Sequence, residues 1–200
     1  MKSGQNDFRT YAIPLLLLPV LIYFYFAWQF SSNIPSWDDF DFLEDALEIK
    51  ESHSLGDKIA VVFSQENEHR PAFIRIIFLL QQTFSGEIDF QVLAFFGNTA
   101  LLGLLFIFYK NLPGFRFKLL SLIPVVLFLF QFQNWSNMIW ATSALQHFPM
   151  LYFFGGAFYW LEKKSIRKFC KHSGSRIPCG VHSGKRIGGG LARCAVSVRD

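Results

Sequence analysis

The chain has 200 residues, of which 52% are apolar, 25 are Phe and only 17% are charged. A soluble domain of this size has no use for so many large aromatics, whereas lipid-facing helices carry them without penalty. The net charge of +4 hides a segregation: eleven of the 15 acidic residues lie between Ser31 and Glu87, with only Lys50, Lys58, Arg70 and Arg75 among them. Basic residues cluster instead at the N-terminus, around 110–118 and after 162, a pattern that reports membrane topology rather than nucleic-acid binding.

Met1–Thr10 is short and polar. Tyr11–Phe30 then runs for 20 residues without a charge, about 30 Å as a helix, or one hydrocarbon core. Its end at Trp28-Gln29-Phe30 is an aromatic interface anchor and not a small-residue cleavage site, which favours an uncleaved span over a signal peptide.

The acidic segment 31–87 is expected as one large outer loop carrying short amphipathic helices. Ser36-Trp37-Asp38-Asp39 has capping-box spacing, with Ser36 as the cap. Phe40, Leu43 and Leu47 then form one helix face, and Asp41, Glu44, Asp45 and Glu48 turn to water. Ser54 repeats the capping signal ahead of Leu55, Ile59 and Phe63. Pro71–Phe84 is apolar, but it has only 14 residues and includes Arg75. Counting it as a span would put the 110–118 cluster on the wrong side. Ile74, Ile77, Phe78 and Gln81 share a face, so a helix lying on the outer surface is expected, opened by Pro71 and closed by Ser85-Gly86.

Three further spans follow, at about 88–109, 119–133 and 140–161. With the N-terminus inside, four spans place Lys110, Arg116, Lys118, Lys163, Lys164, Arg167 and Lys168 on one side. The expected architecture is all-α: a polytopic membrane helix bundle at the cell membrane, with both termini cytoplasmic. After Phe169 the composition changes. No Phe occurs there, while six of the 14 glycines and all three cysteines do. Residues 170–200 are read either as a disordered basic tail or as a stretch out of frame. The spacings of Cys170, His172, Cys179 and His182 fit no zinc motif.

Three groups could carry chemistry. Asp38 and Asp39, just after the first span, could bind a divalent cation through oxygen ligands or serve as a general base on a sugar hydroxyl; equally, Asp39 sits where a capping-box acid belongs. Glu68-His69-Arg70 offers a proton carrier and a fork for phosphate, or a solvated loop. Gln133, Asn134, Trp135, Asn137 and Trp140 fall at the outer ends of the last two spans. Amides and indoles there suit a sugar, or an interfacial aromatic belt with packing amides.

Together these residues resemble the type-C membrane glycosyltransferases, polytopic enzymes that take a sugar from a polyprenyl-phosphate carrier. The resemblance rests on the Asp38-Asp39 pair after a first span, on a long outer loop with Glu68-His69-Arg70, and on Trp140-Ala141-Thr142-Ser143-Ala144-Leu145-Gln146. It covers roughly residues 10–168 and points to a bacterial branch of the class. It implies transfer at the outer leaflet, with Asp38 or Asp39 as base and Arg70, with His69, steadying the leaving phosphate. Membrane lipid and a polyprenyl-phosphate sugar are the implied partners, and a divalent cation is the one cofactor left open. Such enzymes commonly have eight or more spans, so this chain is expected to be an N-terminal part, inactive alone. The competing class is a non-catalytic membrane scaffold that docks partners on its acidic loop.

Overall fold

In a computed structural model, residues 3–65, 71–112 and 118–172 are described. They form eight helices and no strand. In chain order these are α1 (Ser3–Phe30), α2 (Asp39–Glu51), α3 (Leu55–Val62), α4 (Ala72–Ser85), α5 (Phe90–Lys110), α6 (Lys118–Leu129), α7 (Trp135–Ile139) and α8 (Ala141–His172). Two of them, over Ala12–Phe30 and Phe90–Lys110, are long and apolar enough to cross a membrane. The expected third span, 119–133, is shorter than its sequence suggested. Helix α6 stops at Leu129, and its 12 residues reach only about 18 Å.

Local chemistry accounts for the helix ends. The Ser54 hydroxyl accepts from Gly56 N–H at 3.1 Å and opens α3. Gly86 closes α4 at φ +81°, a left-handed turn that costs a glycine nothing. The two polar residues at the start of the second apolar run both serve its entry. Asp89 Oδ1 accepts from Val92 N–H at 3.1 Å as the cap of α5, and Gln91 Nε2 donates to the Trp28 carbonyl at 2.8 Å.

That last bond and the buried pair Tyr23–Asn98 set α5 antiparallel to α1. The Tyr23 hydroxyl donates to Asn98 Oδ1 at 2.6 Å, and Asn98 Nδ2 donates to the carbonyls of Ala94 and Met138, both at 2.7 Å. One fully buried amide thus joins α1, α5 and α7, and satisfying all its groups is what makes such burial tolerable. Phe130 and Phe132, just past α6, meet Tyr23 and Phe26, so α6 ends where α1 ends. Gly97 faces Ala144 and Gly155 faces Leu104, so α5 and α8 run parallel. The four apolar helices therefore alternate in direction along the chain.

Of the loop helices, α2 corrects the expected face and α4 keeps it. In α2 the buried face is Phe42, Ala46 and Ile49, while Phe40 and Leu47 are exposed and Leu43 is half-buried. The expected face was offset because 3.6-residue spacing fits both sets, and only the position of Asp39, drawn inward, decides between them. In α4 the inner face is the expected one, with Ile74 and Phe78 packed on Phe42, Phe90 and Leu93. The opposite face, with Ile76, Leu80 and Phe84, is exposed. Arg75, which argued against a span, is buried and clips α4 to the neighbouring helices. Its Nε donates to Asp45 Oδ2 at 2.6 Å and its Nη1 to the Ser64 carbonyl at 2.7 Å.

Charge is sorted along the bundle. Lys110, Lys118 and Lys163 lie over the rings of Phe106, Tyr109 and Tyr159 at one end, and the acidic helix α2 caps the other. Beyond Phe169, α8 continues to His172; residues 173–200 lie outside the described residues.

The amide knot yields a stability prediction. Tyr23→Phe removes one buried hydrogen bond, worth about 0.5–1.5 kcal/mol. Asn98→Leu strands both the Tyr23 hydroxyl and the Met138 carbonyl and should cost more, about 1–3 kcal/mol. Thermal unfolding in detergent should rank the two in that order; equal midpoints would show that the knot does not organise the bundle.

Candidate functional site

Of the aspartate pair, the two members have opposite fates. Asp38 is exposed, and its side chain caps nothing. Asp39 is 1% exposed. Its Oδ2 accepts from Ser36 N–H at 3.0 Å, which is the acid half of the expected capping box. Its Oδ1 accepts from Thr142 N–H at 3.0 Å and from the Thr142 hydroxyl. Asp39 therefore ties the start of α2 to the first turn of α8, across 103 residues of chain. Helix α2 begins at Asp39, later than a Ser36 cap would place it.

Burial pushes the Asp39 carboxyl above its ordinary value of 3.8, and the bonds from Thr142 and Ser36 pull it partly back. The Trp140 indole N–H faces the carboxylate as well, yet it is buried without an acceptor at hydrogen-bond geometry; it is best described as close but unbonded. A carboxylate offers about four acceptor positions. Three are filled by the chain, and the Trp140 indole N–H is the donor nearest the fourth.

Asp39 borders a cavity of about 200 Å³ between the end of α1, the start of α2 and the α7–α8 junction, with Trp37, Trp135, Trp140, Ser36 and Ser136 in its wall. Trp37 holds φ at +51° while its side chain is 82% exposed. For a bulky residue that backbone conformation is strained, and strain of this kind concentrates at binding and catalytic sites.

The other expected site residues divide. Trp135 and Trp140 line the cavity. Asn137 does not line it: its Oδ1 accepts from the Ser143 hydroxyl at 2.9 Å. Gln133 and Asn134 are exposed in the turn before α7. Glu68, His69 and Arg70 fall outside the described residues. Among the described residues, no group of three His, Cys, Asp or Glu side chains is placed to hold a metal ion; of the pair expected to bind a cation, Asp38 is exposed and Asp39 buried. Sequence reasoning missed Thr142. Its signal was faint: a hydroxyl inside an apolar run, two residues after an interfacial Trp. Compared with family models, curated proteins and solved structures, the chain matches none.

Proposed function

We propose that this chain is the N-terminal, four-span part of a membrane glycosyltransferase that moves a sugar from a polyprenyl-phosphate carrier to an acceptor hydroxyl at the outer leaflet. The observation that carries the reading is Asp39: a buried carboxylate at the edge of a cavity walled by three tryptophans. Indole faces stack on the apolar side of a sugar ring. Asp39 takes the proton of the acceptor hydroxyl, whose oxygen attacks the anomeric carbon. The bond from that carbon to the carrier phosphate breaks, and the carrier leaves as its phosphate. The role of Arg70 and His69 at the leaving phosphate comes from the resemblance alone.

The four-span part of the proposal is supported by the alternating directions of α1, α5, α6 and α8 and by the lysines gathered at one end. The lower half of α8 adds support, since Phe153, Phe154, Phe158 and Trp160 are exposed and a face so aromatic has lipid as its natural neighbour. A single cysteine at Glu51 should then label from outside the cell and one at Gly114 should not. Labelling at Gly114 from outside would overturn the topology.

A second reading has its own observation. Asp39 is bonded well enough to be a structural lock, and Asp41, Glu44 and Glu48 border an open acidic depression beside it, as a docking scaffold would need. Sugar transfer by Asp39→Asn, assayed in the full-length protein, separates the two: an enzyme loses transfer while a scaffold has none to lose.

A further inference from the structure

The Asp39 cavity does not stand alone. An open apolar groove of about 380 Å³ runs beside it along the end of α1 and past α7, walled by Phe26, Phe132 and Met138. Phe30, Trp135 and Ile139 belong to both walls. A polar chamber and an apolar trough with a common wall suit one ligand with a polar head and one apolar chain. The groove follows α1, one of the two helices apolar enough to cross a membrane, so a chain lying in it continues into lipid.

The chamber also selects the head. Its described lining has one carboxylate, the hydroxyls of Ser32, Ser36 and Ser136 and three indoles, but no Lys, Arg or His. An anionic head would meet Asp39 with no described cation to offset it. A quaternary ammonium would have indole faces to rest on, but it brings no hydrogen for the carboxylate and serine oxygens of the lining. A hydroxyl supplies that hydrogen and also pairs with the serines. At about 200 Å³ the chamber lies below the roughly 300–1,000 Å³ of drug-sized pockets, which is room for a single ring.

We infer that cavity and groove form one site for a neutral, hydroxyl-bearing amphiphile with a single apolar chain. In terms of the proposed transferase, on which this part rests, the ligand is the acceptor: a membrane alcohol or neutral glycolipid rather than the phosphate-bearing carrier. Binding itself does not depend on transfer.

The test uses the full chain in lipid nanodiscs and octyl glucoside brominated on its chain, read by quenching of tryptophan fluorescence. Octyl phosphate and octyl trimethylammonium with the same bromine supply the comparison. The glucoside should quench saturably, with affinity about tenfold above either charged head. Ser136→Phe fills the chamber and Phe132→Asp puts a charge in the groove. Both positions are exposed, and each variant should weaken glucoside binding about tenfold. Equal or tighter binding of a charged head, or quenching that never saturates, overturns the inference in the unaltered protein whatever the variants do. Saturable glucoside binding by this chain, with no transferase activity in the full-length protein, would sink the transferase and leave this site standing. Transfer without glucoside binding here would do the reverse.

Discussion

Asp39→Asn in the full-length protein is expected to lower sugar transfer about 10²–10⁴-fold, the usual worth of a positioned general base, while Asp38→Asn stays near the unaltered rate. The two residues are neighbours in sequence and identical in chemistry, so the contrast depends only on placement: Asp39 lines the cavity and Asp38 faces water. Asparagine also disturbs the lock, because one acceptor oxygen becomes an amide donor facing either Ser36 N–H or Thr142. The comparison therefore needs thermal unfolding and membrane insertion beside the assay. A large loss of transfer with insertion intact supports a base. Full activity in both variants would leave the pair with no catalytic role.

The same residue fixes a pH dependence. A base must be ionised, and burial holds Asp39 above 3.8, so the acid limb of the transfer rate should bend at a higher pH than an exposed aspartate gives. The effect on stability runs the other way. A carboxyl raised in the folded state contributes stability that is fully present below its unfolded value and is lost as pH rises through the folded one. Neutral asparagine should flatten that slope. A slope that persists in Asp39→Asn would assign it to another group.

The sequence announced the helices well, because twenty uncharged residues or a Ser-x-x-acid step are local signals. It announced the site less well, because burial is not local. Asp38 and Asp39 look alike until Thr142 reaches one of them from another helix. The α2 face went to the wrong stripe for the same reason: Phe40, Leu43 and Leu47 and the alternative Phe42, Ala46 and Ile49 both repeat every three or four residues. Arg75 told against a span on charge alone, and nothing near it in sequence names Asp45 as its partner. Asn98, an amide midway along an apolar helix, carries a tertiary signal that the sequence reading did not use, since a buried amide must find partners.

The largest structural effect should come from the smallest change, Gly97→Ala. Helices α5 and α8 approach so closely at Gly97 that a Cβ would sit 2.6 Å from the Ala144 carbonyl carbon and 2.8 Å from the Leu145 nitrogen. Both atoms are backbone and cannot rotate aside, so the two helices must part. Overpacking of this kind costs about 1–3 kcal/mol. Parting them also moves Thr142, two residues before Ala144, away from Asp39, so the loop helix α2 should loosen with the bundle. Gly103 gives the control on the same helix. A Cβ there would meet the Tyr152 ring at 2.7 Å, but that ring is a side chain at 37% exposure and can swing outward. Gly103→Ala should therefore unfold close to the unaltered midpoint in detergent, and Gly97→Ala well below it. Gly97→Ala should also open the Asp39 region to hydrogen exchange along α2, where Gly103→Ala should not. If the two substitutions behave alike, the close approach of α5 and α8 does not hold the site together, and the tie from Asp39 to Thr142 must be maintained from the loop side instead.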